Sequence, residues 1–311
     1  MNKIQIKKPV FIIGCGRSGT GLLFDLLGQH PSLVKTMGYP DGEDHLGWVE
    51  HGNCVMAGIG NHTAPQFGTG INGFQVCLPM SDNDVTDKTI SRMHQYYFNS
   101  VLNGDTSLRV INKQPHLSNK LHYLLKIFPD AKIIHIIRDC PAVVASWKAI
   151  MNAINSVLLY LPPDEENPCF WLMPRPEDKT ARELLDKHPH IYPGGDGAVF
   201  IDYWCKVNKA IPNEMKVCPS QLLTIRYEDL IENPNEMLKK IDDFCELAPY
   251  EYAVKDVQRN TANKHKALVD EVLAEKIDVN AMAVRKMYGY LSSEVKMPYS
   301  LYIPESNRHQ Q

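Results

Sequence analysis

The sequence predicts an α/β fold, three layers built around a central parallel sheet, and three observations predict it. Short, almost unbroken apolar runs at 9–13, 107–112, 131–137 and 221–226 have the character of strands covered on both faces. Helical patterns alternate with them, as parallel strands joined by crossovers require. The first run also breaks into a turn rich in glycine, Gly14, Gly16 and Gly19, and then into a helix with Leu22, Leu23, Leu26 and Leu27 along it.

The elements follow in order. Residues 9–13 form the first strand and 19–29 the first helix. His30 to Lys35 is too short and broken to read as a second strand ending in a carboxylate. A helix is predicted over 88–103, a strand over 107–112, and a helix over 118–128 with Ser118 as its N-cap. The strand 131–137, AKIIHII, leads to a helix over 141–155 that Pro141 opens in its first turn. A helix over 202–211, the strand 221–226 (QLLTIR) and a helix over 234–246 after Asn233-Pro234 complete the pattern. Two stretches interrupt it: 38–73 holds nine of the 19 glycines, and 151–200 holds seven of the 21 prolines with Tyr160, Phe170, Trp171, Tyr192 and Phe200. Irregular segments of that length carry an entropic burden that binding loops and lids justify. The expectation is one domain over 1–311 with lid or acceptor segments at 38–73 and 151–200.

Composition narrows the function. With 44% hydrophobic and 22% charged residues the chain is ordinary for a globular protein. A net charge of -3 argues against nucleic-acid binding, which needs a basic surface. No apolar run approaches the roughly 18 residues of a membrane span, and MNKIQIKKP lacks the apolar stretch of a signal peptide. A cytoplasmic protein that binds no membrane is expected; nothing in the sequence bears on its oligomeric state. The eight cysteines, 15, 54, 77, 140, 169, 205, 218 and 245, form no C-x-x-C pair and read as reduced and mostly buried. Cys15 reads as a small packing residue in a tight turn. His188 and His190 read as a surface loop and not a metal site.

The glycine-rich turn is an anion cradle, since successive backbone N–H groups and the positive end of the following helix dipole face one point. Three readings share it. Gly14-Cys15-Gly16-Arg17-Ser18-Gly19 fits a dinucleotide fingerprint, yet no acidic residue ends a second strand about 20 positions on. Gly14 and Gly19 have P-loop spacing, but Thr20-Gly21 stands where a nucleoside triphosphatase needs Lys and then Ser or Thr for Mg²⁺. The third reading is a P-loop-like cradle with an arginine inside it, suited to a 5′-phosphate bearing something less charged than a polyphosphate. A second anion site is suggested where a strand ends at Arg138 and Ser146 follows eight residues later on a helix. The competing reading is a surface ion pair, Arg138 with Asp139, beside a serine that only fills a helix.

Together these residues resemble the sulfotransferase family, which uses 3′-phosphoadenosine 5′-phosphosulfate (PAPS) and releases PAP. The family's 5′-phosphosulfate loop, R-S-G-T-T, is matched by Arg17-Ser18-Gly19-Thr20-Gly21, and its Arg and Ser eight apart by Arg138 and Ser146. Asn112-Lys113-Gln114-Pro115 resembles the segment with the catalytic lysine, and FPDAKIIHIIRD the lead into the 3′-phosphate arginine. Residues Ile225 to Leu230, then Asn233-Pro234, resemble the family's late strand, loop and helix. The flavour is that of tyrosylprotein and bacterial sulfotransferases, since Lys113-Gln114-Pro115 lacks the histidine of the Lys-x-His pattern of cytosolic phenol and steroid enzymes.

The resemblance implies that Arg17, Ser18, Gly19, Thr20 and Gly21 hold the 5′-phosphosulfate, Arg138 and Ser146 the 3′-phosphate, and that Tyr227 lines the nucleotide site. Lys113 would neutralise the bridging oxygen, without metal. Gly21 replaces a threonine, and Cys140 displaces the usual proline by one position. The glutamate that serves as base in the protein-tyrosine branch comes late here, as Glu43, with Asp44, His45, Glu50 and His116 as further candidates. The expected activity is sulfuryl transfer to a hydroxyl or amine of a small molecule. Asp41, Glu43, Asp44 and Glu50, with Asp164, Glu165, Glu166, Phe170 and Trp171, would favour a polar or cationic one. A P-loop kinase of a small metabolite and a non-catalytic nucleotide-binding protein are the alternatives.

Overall fold

The computed structural model describes residues 4–38, 42–54, 79–153, 157–159, 171–173, 191–192, 197–255, 257 and 269–291. Its centre is a five-stranded sheet of β1 (Val10–Ile13), β2 (Leu33–Lys35), β3 (Arg109–Lys113), β4 (Lys132–Ile137) and β8 (Leu222–Arg226), in the order β2-β3-β1-β4-β8. All four pairings are parallel, and Ile12 lies opposite Lys113 on one side and Ile134 on the other. The four longer runs predicted as strands are therefore strands, in one sheet.

Alternation within these strands explains why they read as unbroken apolar runs. Phe11, Ile13, Ile133 and Ile137 face one layer, and Val10, Ile12, Ile134 and Ile136 the other. The first layer holds α3 (Asp87–Tyr96), α4 (Leu121–Ile127), α5 (Cys140–Ala153) and α6 (Ala198–Glu214); the second holds α1 (Thr20–Leu27) and α8 (Pro234–Cys245). His135, inside β4, is buried and keeps its ring on Asn208 Oδ1 at 3.0 Å; burial pushes its pKa down to about 4.

Several local expectations need correction. The short run after α1 does form a strand, β2, on the sheet edge, and it ends in Lys35, which bonds Asp25 at 2.6 Å. The helix predicted over 88–103 runs as α3 into a π turn at Tyr97–Val101. The helix over 118–128 is a 3₁₀ turn, Pro115–Asn119, and then α4, and Ser118 does not cap it. Its hydroxyl serves Gly14 instead, accepting that residue's N–H at 3.1 Å. Two short helices near the sheet edge were not anticipated, α2 (His45–Glu50) and α7 (Tyr227–Glu232), nor were α9 (Glu271–Asn280) and α10 (Met282–Met287). Of the segment 151–200, a small antiparallel sheet is described, β6 (Trp171–Met173), β5 (Val157–Leu159) and β7 (Ile191–Tyr192), with β5 in the middle.

Candidate active site

Because the five strands run parallel, everything that follows their C-terminal ends gathers on one edge. That edge carries the turn after β1, Lys113 at the end of β3, Arg138 after β4 and Tyr227 after β8. Chain winding reverses direction about β1, and ligands of open α/β sheets bind at such a reversal.

The turn after β1 leaves polar groups unsatisfied. Gly19 caps α1 in a left-handed conformation, φ 98°, with no side chain on the helix's first N–H groups. The Tyr203 hydroxyl accepts the Gly16 N–H at 3.2 Å. Ser18 is buried and its hydroxyl has no hydrogen-bond partner, an orphan that an incoming oxygen would satisfy. Arg17 holds φ 71°, uncommon for a residue with a side chain and typical of strain kept at a functional turn. A Cβ on Gly19 would lie 2.4 Å from the Tyr227 ring. Gly19→Ala is therefore expected to lower stability by about 1–3 kcal/mol and to weaken nucleotide binding, measured by chemical denaturation and titration with PAP.

The second predicted anion site adjoins the first. Arg17 Nε donates to Ser146 Oγ at 3.1 Å, joining residues 129 positions apart. Arg138 lies over the Tyr227 ring, 4.5 Å from its centroid, and that ring is the one that closes on Gly19. Arg138 does not pair with its neighbour: Asp139 takes a two-pronged bond from Arg285 instead. The reading of Arg138-Asp139 as a surface ion pair is thereby overturned.

Lys113 is buried at 3% exposure, and its ammonium lies 3.2 Å from Glu43 Oε1. Glu43 Oε2 lies 3.0 Å from His45 Nε2, and the rings of His45 and His116 are 5.1 Å apart. What brings Glu43 and His45 here is α2. Asp44 caps it, accepting the Gly47 N–H at 3.0 Å, while Trp48 is fully buried with its ring against Phe11, Tyr97 and Phe128. Trp48 was the unused sequence signal, a large aromatic five residues past Glu43 and three past His45.

Charges sort the candidate bases. Burial would raise Glu43, but the bond with His45 and the charges of Lys113 and His116 outweigh it and hold its carboxyl at about 2. Burial lowers His45 below the ordinary imidazole value, with Glu43 opposing. His45 Nδ1 is buried and has no hydrogen-bond partner. Asp44 is pushed up to about 7 by burial, against the hydroxyl of Tyr96 at 2.8 Å and the Gly47 N–H; it serves α2. Glu50 is exposed at the end of α2. Glu43, His45 and His116 bring one ligand atom each within 4.8 Å of one another, donors suited to a divalent metal, although Lys113 already occupies Glu43. Gln114 is fully buried and both its amide atoms have no hydrogen-bond partner, which the sequence did not signal.

Cys15, Cys54, Cys140, Cys205, Cys218 and Cys245 are free thiols, and burial raises Cys15, which suits packing and not attack. Cys77, Cys169, His188, His190, Asp41, Asp164, Glu165, Glu166 and Phe170 lie outside the described residues. No helix among the described residues is long and apolar enough to cross a membrane.

The chain is similar to several known proteins. An uncharacterized protein of Aquifex aeolicus (strain VF5) is 25% identical over 268 residues, 86% of this chain and 29% of that protein. The omega-hydroxy-beta-dihydromenaquinone-9 sulfotransferase Stf3 of Mycobacterium tuberculosis is 26% identical over 194 residues, 58% of this chain and 41% of that protein. The chain thus spans less than half the length of these curated relatives. A crystal structure of a sulfotransferase from Alicyclobacillus acidocaldarius is 14% identical, covers 90% of this chain and 97% of its own, and has a TM-score of 0.47. Residues 9–160, which carry the turn, Glu43, Lys113, Arg138 and Ser146, match the model of the sulfotransferase family.

Proposed function

We propose that this chain, as one catalytic domain, transfers a sulfuryl group from PAPS to a hydroxyl of a small-molecule acceptor. The observation that carries the reading is the contact of Arg17 with Ser146, which makes one continuous binding edge of two motifs far apart in sequence. PAPS fits the residues present: the N-terminus of α1 has no side-chain cap, the Ser18 hydroxyl lacks a partner, and Arg138 and Ser146 stand beside it. When bound, PAPS supplies a sulfuryl group activated by its anhydride link to phosphate.

The chain's own groups then have separable tasks. Ser18, Gly19, Thr20 and Gly21 offer N–H groups and hydroxyls to 5′-phosphosulfate oxygens. Arg138 and Ser146, with Arg17 between the two sites, hold the 3′-phosphate. Lys113 stabilises charge gathering on the bridging oxygen. Thr20-Gly21, where a triphosphatase would have Lys and Ser or Thr, fits transfer without Mg²⁺. Free buried thiols fit a cytoplasmic setting.

For the base we favour His45 over Glu43. A carboxylate held at about 2 has little affinity for a proton. With Nε2–H donated to Glu43, His45 keeps its lone pair on the partnerless Nδ1, and Glu43 fixes the tautomer. A base works deprotonated, so activity is present above its pKa and lost as pH falls through it. The acid limb of kcat is expected below 6.5, the ordinary imidazole value, and His45→Asn is expected to slow turnover by about 10²–10⁴. A rate that stays flat down to about pH 3, near the low value of Glu43, would return the role to Glu43.

The mycobacterial relative's name specifies a hydroxylated quinone, which supports a hydroxyl acceptor here. A preference for cations finds less support, since Lys113 and His45 occupy Glu43, and Tyr96 and Gly47 occupy Asp44. The test of the whole reading is thermal stabilisation by PAP, AMP, ADP with Mg²⁺ and NAD, followed by PAPS turnover with neutral and cationic alcohols. PAP is expected to stabilise most. Strongest stabilisation by ADP with Mg²⁺ favours a kinase, and PAP binding with no turnover favours a non-catalytic role.

A further inference from the structure

We propose that Arg285, near the end of the described chain, is a positioning residue that aims Arg138 and Ser146 at the 3′-phosphate; this rests on the PAPS reading above. Arg285 sits on α10, is 4% exposed, and directs its guanidinium to Asp139 and Asp278, not to either member of the pair. It acts through Asp139. Nε and Nη2 donate to the two carboxylate oxygens of Asp139 at 2.9 and 3.0 Å, the two-pronged geometry that fixes orientation as well as distance.

Asp139 has two further duties that transmit this hold. Its Oδ1 accepts the Cys140 N–H at 2.8 Å, where α5 begins, and α5 carries Ser146. Its own N–H donates to Glu228 Oε1 at 3.1 Å, and the Tyr290 hydroxyl lies 2.8 Å from Glu228 Oε2. Trp204 Nε1 donates to the Arg138 carbonyl at 2.9 Å. The Tyr290 hydroxyl also donates to the Ile137 carbonyl at 3.1 Å, so the peptide groups on both sides of Arg138 are tied to α6, α7 and the chain after α10, and the guanidinium starts from a fixed backbone. Preorganised donors lose less freedom on binding than mobile ones. Arg285 is the charged end of this chain of bonds, and Asp278 Oδ1, 3.3 Å from its Nη1, holds it from behind.

A structural role and a positioning role separate in the ratio of two affinities. AMP lacks the 3′-phosphate and PAP has it, so only PAP reads the aim of Arg138 and Ser146. In Arg285→Gln the preference for PAP over AMP is expected to fall by about tenfold, with AMP affinity within about twofold of native, and Arg285→Lys should recover part of the preference. Titration calorimetry of each folded variant with PAP and with AMP reads this directly. A native PAP preference in folded Arg285→Gln, or equal loss for both nucleotides, overturns the proposal. If Arg285→Gln does not fold, Tyr290→Phe decides by the same ratio, because it removes the hydroxyl that steadies both Glu228 and the Ile137 carbonyl before Arg138; a native ratio in that variant overturns the proposal. Should the native protein itself bind PAP no better than AMP, the 3′-phosphate reading fails first and this proposal with it, an outcome distinguishable from a defect confined to the variants.

Discussion

Lys113→Met is expected to slow sulfuryl transfer by about 10²–10³ while PAP affinity changes by less than about threefold, the signature of a donor used in the transition state and not in the ground state. The expectation comes from position and burial. Lys113 ends β3 beside the turn after β1, with Ile12 opposite it in the sheet, and is almost wholly enclosed. In so enclosed a site an ammonium acts on developing charge with little screening by water. Methionine keeps length and apolar packing and removes only the charge. The variant also deprives Glu43 of the cation 3.2 Å away, so the Glu43 pKa should rise and some stability above the normal carboxylate range should be lost. Denaturant titration alongside single-turnover kinetics separates the two effects. Near-native turnover in a folded variant would move the leaving-group role to Arg17.

Arg138→Ala is expected to remove most of the preference of the native protein for PAP over AMP, about 1.5–3 kcal/mol for a charge-assisted bond, or about 10–150-fold in relative Kd. AMP binding should stay near native, since the turn of Gly14 to Gly21 is untouched. Arg138 stands over Tyr227, which limits the directions its guanidinium takes, and Ser146 is joined to Arg17 at the neighbouring site. The effect should therefore exceed that of Ser146→Ala, a neutral donor. Competitive titration of PAP against AMP measures the ratio. Equal affinity of the native protein for both nucleotides would remove the 3′-phosphate site from Arg138.

The pH dependence of the site follows from the same crowding of charges. Glu43 is held low, so the stability it contributes is present above the ordinary carboxylate value of 4.5 and lost as pH falls toward 2. Asp44 has the opposite sign. Its ordinary value of 3.8 is raised to about 7 in the folded chain, so ionising it there costs stability as pH rises between those values. Neighbours in sequence, these two carboxyls differ because one meets Lys113 and His45 and the other a tyrosine hydroxyl and one backbone N–H.

The sequence by itself determined the class of fold and displayed the two motifs read as anion sites. Parallel strands buried on both faces must be apolar along their whole length, so β1, β3, β4 and β8 stand out from their neighbours. A glycine-rich turn between strand and helix is likewise a local event, complete within Gly14 to Thr20. Tertiary structure alone decided which partners these residues take. Ser118 reads as a helix cap, yet its hydroxyl serves Gly14, 104 positions away, because a hydroxyl's nearest donor depends on where the sheet edge carries it. Arg138 and Asp139 read equally well as an ion pair, yet one lies over Tyr227 and the other meets Arg285. Glu43 and His45 reach Lys113 only because Trp48 seats α2 in the core, and a helix of six residues is too short to leave a periodic signal. Local patterns encode what a chain segment needs from solvent and core; a site also requires which segments meet, and that is settled only when the strands have been ordered side by side.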